Sequence, residues 1–174
     1  DLHAETGGII PENAARQQIK SMIPVITSSL SKAGLEEEDI DALAITAGPG
    51  LIGSLLVGIE TAKTLSLLWQ KPIIPINHLI AHLYANWLYQ DKKPTFPALA
   101  LVVSGGHTDI VLMKGHGALK WVGGTKDDAA GEAFDKSARL LGLPYPGGPA
   151  ISAEASEYLV KNPKKKLSLF PRPI

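Results

Sequence analysis

The apolar residues of the first thirty or so positions follow a helical period. Five of them recur on one side of a helix within residues 13–33: Ile19, Met22, Ile23, Ile26 and Leu30. This spacing predicts a helix that Pro24 kinks and Gly34 ends. The acidic stretch Glu36–Asp41 that follows is predicted to be a solvated loop.

Short apolar runs then alternate with longer ones. Ala42–Ala47 and Ile73–Ile76 have the length of buried strands, and residues 54–69 between them predict a largely buried helix that follows a turn at Gly48–Gly53. His78–Tyr89 predicts the next helix. Strands that alternate with helices indicate an α/β sheet with helices packed against it.

In the second half, two apolar runs flank a glycine-rich segment. Leu99–Val103 and Asp109–Met113 are predicted to be strands around Ser104–Thr108. Paired glycines permit the positive φ values of tight turns, so this spacing predicts a hairpin.

Composition limits the class of protein. The chain has 174 residues, of which 45% are hydrophobic and 20% charged, and this is ordinary for one globular domain. Its 17 basic and 17 acidic residues cancel, so nucleic acid would need a local basic patch or a partner. The lack of cysteine excludes disulfides and thiolate chemistry.

No apolar run approaches the roughly 18 residues of a membrane span, so no membrane partner is expected. The chain starts at Asp1 rather than Met and is expected to be part of a longer protein, truncated at both ends.

His78 and His82 are candidates for a metal site. Positions i and i+4 of a helix lie one above the other, so two imidazoles there can bind one ion such as zinc or iron. The alternative is two unrelated histidines on a helix face. A zinc peptidase would need Glu as general base at the second position, which is Leu79 here.

Two glycine turns could bind anions. The backbone amides of Ser104, Gly105 and Gly106 could form a nest for phosphate, although a plain hairpin turn is the alternative. Gly48–Ser54 opens a helix but lacks the lysine of a P-loop, so close packing of strand on helix is favoured there.

A helix is predicted over residues 129–141, with Asp127 or Asp128 as its N-cap and Gly142 as its stop. Three carboxylates follow i, i+4, i+7 spacing and are expected on one face: Asp128, Glu132 and Asp135. This row could bind ribose hydroxyls or be a solvated face. Tyr145–Pro149 predicts a rigid turn, and the run Lys164–Lys166 a solvated segment.

Taken together and in order, six motifs resemble the TsaD family, formerly labelled O-sialoglycoprotein endopeptidase, from Leu2 to Pro173. The motifs are Gly7–Glu12, Thr46–Leu51, the His78–His82 pair, Val103–Thr108, Asp127–Lys136 and Tyr145–Pro149. The resemblance implies an actin/Hsp70/sugar-kinase-like (ribonuclease H-like) lobe, a mixed sheet flanked by helices. Residues 1–160 would be this N-terminal lobe without its first hairpin, and 161–174 a connection toward a second lobe.

The resemblance also implies an activity, the transfer of a threonylcarbamoyl group from threonylcarbamoyl-AMP to N6 of the adenosine 3′ to the anticodon, in tRNAs reading codons that begin with A. His78 and His82 would bind one divalent metal, Fe or Zn, whose third ligand lies outside this chain. The nucleotide, an adenylate or ATP, would lie against Val102, Val103, Ser104, Gly105 and Gly106. Asp135 and Gly148 would hold its nucleoside. His107, beside the phosphate turn, is a further candidate, and no catalytic residue is assigned.

Many bacterial members have Glu-Gly where this chain has Ile80-Ala81, so any role of that Glu is absent here. The implied partners are tRNA and, in bacteria, TsaB-like and TsaE-like proteins, and the implied location is the cytoplasm or a mitochondrion. Three alternatives remain: an ATPase or kinase of the same fold, a non-catalytic TsaB-like subunit and, disfavoured by Leu79, a metallopeptidase.

Overall fold

The computed structural model describes residues 10–88, 91 and 93–163. Its helices are α1 (Pro11–Ala33), α2 (Ile52–Trp69), α3 (His78–Tyr84), α4 (Ala130–Leu140) and α5 (Gly147–Lys161). Its strands are β1 (Leu43–Gly48), β2 (Ile73–Asn77), β3 (Ala98–Val103), β4 (Thr108–Gly115) and β5 (Ala118–Gly124). Two short 3₁₀ helices lie at Glu37–Asp39 and Ala85–Trp87. This is the mixed α/β class that the alternating pattern predicts, but the described strands form two separate sheets and not the single mixed sheet that was expected.

The described chain divides into two compact units. The first unit comprises residues 10–102 and 109–123, and the second comprises residues 103–108 and 124–163. The first unit therefore holds both sheets, apart from a few strand ends, and the second holds α4 and α5.

In the first unit, β1 and β2 form a parallel pair joined through α2, and α2 packs against both β1 and α1. The register pairs Leu43 with Ile73 and ends with Gly48 opposite Asn77. Gly58 of α2 allows a close approach, since a Cβ there would lie 3.0 Å from Cδ1 of Ile45. The predicted helix, turn and strands of this segment are confirmed, with α1 ending at Gly34 in the left-handed conformation.

The burial predicted for α2 is wrong. Only Gly58 and Ala62 are buried in it, whereas Ile52, Leu67 and Leu68 are each more than 70% exposed. By length and composition alone α2, with 18 residues and a mean hydropathy of 1.2, is the one helix of the described residues that could cross a membrane, so the prediction that no apolar run approaches this length is wrong. It nevertheless carries an ion pair between Lys63 and Glu60 (2.7 Å). One side of α2 packs against the β1–β2 sheet. Its other side is apolar but is not covered by any of the described residues.

The second sheet of the first unit has the order β3-β4-β5. The connections between its strands are too short for a parallel crossover, so neighbouring strands run antiparallel. Its core is Leu83, Val102 and Met113, with Leu79 and the aromatic residues around α3 packed against it. Alternate residues of β3 point to this core, as the pleat of a strand requires. The strand β5 was not predicted.

In the second unit, α4 ends as predicted, because Gly142 adopts a φ of +70° and the Leu143 amide donates to the Ala138 carbonyl. Its predicted acidic N-cap is wrong. The N-cap residue is Ala129, and the Ala130 amide donates instead to Oγ1 of Thr108 at 2.8 Å. A hydroxyl distant in sequence thus replaces the local carboxylate.

The predicted turn at Tyr145–Pro149 is the start of a helix, since α5 begins at Gly147. The helix predicted over His78–Tyr89 is shorter and ends at Tyr84. Some predictions lie outside the described residues, namely those for residues 7–9, Tyr89, the Lys164–Lys166 run and most of the 161–174 connection.

Candidate functional site

The two histidines lie on α3, directly after the carboxyl end of β2. Asn77, the last residue of β2, caps this helix, and its Oδ1 accepts hydrogen bonds from the amides of Leu79 (3.0 Å) and Ile80 (3.1 Å). Asparagine is a favoured N-cap because its side chain satisfies amides that have no partner inside the helix. His78 is therefore fixed as the first helical residue, and His82 follows one turn later.

The two imidazoles converge. Their Nε2 atoms are 3.2 Å apart, and their ring centroids are 4.5 Å apart with an interplanar angle of 69°. A metal about 2.1 Å from each nitrogen would see them at an angle of roughly 100°, which lies between octahedral and tetrahedral geometry. The pair therefore fits two adjacent ligand positions of one divalent ion.

The described residues supply no third ligand near this pair, since they contain no group of three or more histidine, aspartate or glutamate side chains that could hold an ion. A metal site here needs ligands from elsewhere. The pair stands beside the carboxyl edge of the β1–β2 pair, where five residues line a shallow depression: Ala47, Gly48, Pro75, Ile76 and Asn77. The carboxyl ends of parallel strands are where α/β folds place ligands.

The glycine loop, residues 104–107, lies in the second unit. It is closed by hydrogen bonds from the Ser104 amide to the His107 carbonyl (2.8 Å) and from the His107 amide to Oγ of Ser104 (3.1 Å). It does link two strands, as predicted. The predicted positive φ is wrong, since neither Gly105 nor Gly106 has one. The tight turn with a positive-φ glycine is at Gly117, where φ is +74°.

Gly105 and Gly106 are open to a ligand. Among the described residues no acceptor binds either amide, and a Cβ at either position would meet nothing within 4 Å. Two adjacent amides with no side chain above them suit a phosphate oxygen. The anion nest therefore stays a prediction, in which the two glycines would provide access rather than an unusual turn.

The first turn of α4 lies directly against this loop. The Gly131 amide donates to the Ser104 carbonyl at 3.1 Å, and a Cβ on Gly131 would lie only 2.7 Å from that oxygen and 2.8 Å from Cα of Gly105. Only glycine permits this approach. The amides of Ala130 and Gly131 are occupied by protein acceptors, so neither is available to an anion.

Asp135, one turn after Gly131, meets the start of α5. Its Oδ1 accepts a hydrogen bond from the Gly147 amide at 2.7 Å. A Cβ on Gly147 would lie 2.6 Å from the Phe134 carbonyl oxygen and 2.8 Å from Cβ of the buried Ala138. Gly131, Asp135 and Ala138 therefore form one face of α4, which contacts the glycine loop at one end and α5 at the other.

The predicted carboxylate row is wrong as a single face. Asp128 precedes the helix, and it shares Nζ of Lys136 with Glu132, at 2.7 Å and 3.0 Å respectively. The hydrogen bonds to Asp128 and Glu132 raise the pKa of the Lys136 ammonium above its usual value. Asp128 and Glu132 therefore form an ion-pair cluster with Lys136, while Asp135 alone turns toward α5.

The other predicted residues have different surroundings. The side chain of Val102 is buried in the core of the first unit, so only its backbone is available to a nucleotide. Val103 is 54% exposed, and a Cβ on Gly148 would meet nothing within 4 Å. Sequence reasoning missed the packing roles of Gly131 and Gly147. Glycine inside a helical pattern was the available signal, because it destabilises a helix unless a close approach requires it.

Comparison with known proteins decides the family. Residues 1–173 match the family described as "TsaD: tRNA N6-adenosine threonylcarbamoyltransferase". The chain belongs to the TsaD family. This confirms the resemblance drawn from the six motifs.

Curated TsaD relatives carry the name tRNA N6-adenosine threonylcarbamoyltransferase. The protein from Thermomicrobium roseum is 57% identical over 162 residues, which cover 90% of this chain and 44% of the relative. Those from Dehalococcoides mccartyi (strain BAV1) and Anaeromyxobacter sp. (strain Fw109-5) are 54% and 52% identical, with 48% and 47% of their length covered. The chain thus spans about half the length of these TsaD relatives.

A solved structure of YeaZ from Pseudomonas aeruginosa is 16% identical to this chain, with a TM-score of 0.44. The match covers 67% of this chain and 54% of the YeaZ chain, and this similarity does not establish a shared fold.

Proposed function

We propose that the intact protein transfers a threonylcarbamoyl group from threonylcarbamoyl-AMP to N6 of the adenosine 3′ to the anticodon of tRNA. The observation that carries this proposal is the family match over residues 1–173, within which the histidine pair and the glycine loop both have geometry suited to the expected ligands. The chain would be part of the N-terminal lobe of an actin/Hsp70/sugar-kinase-like fold. The reaction would take place in the cytoplasm with TsaB-like and TsaE-like partners.

The glycine loop would bind the phosphate of the donor through the amides of Gly105 and Gly106. Asp135 is half-buried and already accepts the Gly147 amide, which fixes its carboxylate. Its second oxygen would accept a hydrogen bond from a ribose hydroxyl, and the open position at Gly148 would leave room for the nucleoside. These contacts would orient the donor, and holding the reacting groups in place lowers the barrier because their translational and rotational freedom is already lost on binding.

In the proposed step, the N6 nitrogen forms a bond to the carbamoyl carbon and gives up a proton to water. The bond from that carbon to the phosphate oxygen breaks, and AMP leaves with the electron pair. AMP is a good leaving group, so the amides of the glycine loop need only stabilise charge on the departing phosphate. His78 and His82 would hold the divalent metal, which when bound would supply Lewis-acid chemistry.

The test is formation of modified tRNA by the intact protein with its TsaB-like and TsaE-like partners, each added or omitted in turn. His78→Ala and His82→Ala are expected to lower bound metal and transfer together, by more than about 100-fold, since they remove direct ligands rather than outer-shell partners. Ile80→Ala is the matched control, because Ile80 lies on the same helix and is 37% exposed.

Three results would contradict the proposal. One is unchanged metal content and turnover in both histidine variants. Another is ATP hydrolysis without any modified tRNA, which would favour an ATPase of the same fold. Full transfer without either protein partner would refute the partner assignment alone.

A further inference from the structure

We propose that Tyr84 is a positioning residue for the histidine pair, acting through a hydrogen bond between its hydroxyl and the turn that joins β4 to β5. The Gly117 amide donates to Oη of Tyr84 at 2.9 Å. The turn and α3 both belong to the first unit, so this contact lies inside one compact body. The proposal rests on the metal-binding role given to the histidines above.

The helix α3 cannot hold its own shape. It has 7 residues, and isolated helices shorter than about 12 residues are marginal in water. Its geometry therefore depends on what holds each part of it. Asn77 caps its start, and Leu83, only 4% exposed, anchors one side of it in the core. Leu79 packs against the same core, and a further anchor lies at the last residue of the helix, Tyr84.

Tyr84 acts on the pair from a distance. It follows His82 by two positions, which is a rotation of about 200° around the helix axis, so the two side chains leave opposite sides of α3. The tyrosine does not reach a metal held by the imidazoles. It determines instead where the second turn of α3, which carries His82, lies relative to the first turn, which carries His78.

The β4–β5 turn that contacts Tyr84 makes further contacts of its own. Gly117 has a φ of +74°, so its amide points to the tyrosine in a conformation that other residues rarely adopt. His116, next to it, stacks on the Tyr84 ring with centroids 5.6 Å apart, and meets Phe96 edge-on at 4.9 Å. Trp87 closes the cluster with its ring centroid 5.5 Å from that of Tyr84. The hydroxyl of Tyr84 therefore attaches the end of α3 to a fixed point.

The position of Tyr84 affects the distance between the Nε2 atoms of the two histidines, which is 3.2 Å. If the end of α3 loosens, His82 samples a range of positions, and two ligands that move independently bind an ion less tightly than two that are fixed. Sites of this kind need their ligands held within about 0.5 Å. Loss of the hydroxyl should therefore reduce metal affinity even though no ligand is removed.

The experiment compares Co²⁺ binding to the intact protein and its Tyr84→Phe variant, measured by competition with a chromophoric chelator and by the visible spectrum of the bound ion. Phenylalanine keeps the ring stacked on His116 and removes only the hydroxyl. Affinity for Co²⁺ is expected to fall about tenfold, the lower end of the loss seen when an outer-shell partner is removed, and the spectrum should shift. Melting of the metal-free proteins, measured in chelator, should change little.

Tyr158→Phe is the matched control, since it removes a hydroxyl from α5 in the second unit. His78→Ala shows that the assay reports on the pair. Wild-type affinity and spectrum in Tyr84→Phe, with binding lost in His78→Ala, would overturn the positioning role and leave the proposed function standing. Unchanged Co²⁺ binding in His78→Ala would overturn the metal assignment itself and the positioning role with it.

Discussion

The histidine helix and the glycine loop are constructed in opposite ways. On α3 the chemistry is in two side chains, and the spacing i, i+4 within one helix already brings their Nε2 atoms to 3.2 Å. In the loop the chemistry is in backbone amides, and its position depends on Gly131, which lies some 26 positions later in the chain and touches the Ser104 carbonyl. Side-chain sites can thus be recognised from local sequence, whereas backbone sites depend on distant close approaches.

The two regions should therefore differ in what a mutation damages. Loss of a histidine removes ligands and leaves the backbone in place. Loss of a packing glycine near the loop changes the backbone and, through it, both the fold and the proposed anion site. Three substitutions, in order of decreasing effect on stability, test this difference.

Gly131→Ala is expected to have the largest effect. The new Cβ would lie 2.7–2.8 Å from backbone atoms of Ser104 and Gly105, which cannot move without displacing the loop. Such overpacking destabilises by about 1–3 kcal/mol, measured as the free energy of unfolding in urea. In Gly148→Ala, where a Cβ would meet nothing within 4 Å, stability should be unchanged or slightly higher. Equal stability of Gly131→Ala and wild type would show that the close approach is absent.

Asn77→Ala should have an intermediate effect on the histidine helix. It removes the acceptor for the Leu79 and Ile80 amides, and loss of an N-cap typically destabilises by about 1 kcal/mol. Asn77→Asp keeps an oxygen at the same place and serves as the control. Chemical denaturation of the two variants checks this. If Asn77→Asp lost as much stability as Asn77→Ala, the capping hydrogen bonds would not be what holds the start of α3.

Lys136→Met should have the smallest effect, because this ion-pair cluster is exposed to solvent and screened by salt. The pKa of Lys136 is raised in the folded protein, so its contribution to stability is complete below the usual value of 10.5 and is lost as the pH rises through the higher folded value. The difference in urea midpoint between Lys136→Met and wild type should therefore be small at pH 7 and vanish in strong alkali. A difference that persists there would mean that packing of the lysine stem, and not its charge, is responsible.

Local pattern was a good guide where one segment suffices. The period of α1, the stop signals at Gly34 and Gly142, and the four predicted strands β1 to β4 depend on neighbours in sequence, and all are found in the structure. Predictions from the local sequence pattern were wrong where contacts with distant parts of the chain, or the lack of them, decide the structure. Thr108, not an adjacent aspartate, binds the first amide of α4, and α2 is exposed although its composition suggested burial.

By itself the sequence determined the family, the secondary structure of most segments and the pairing of His78 with His82, because each of these depends on residue identity or on spacing within one helix. Only the tertiary structure decided that Gly131 and Gly147 are contact points, that Asp135 binds the start of α5, and that Tyr84 meets the turn at Gly117. Those contacts join residues separated by up to about thirty positions, and no local period encodes which backbone will come within 3 Å of which other.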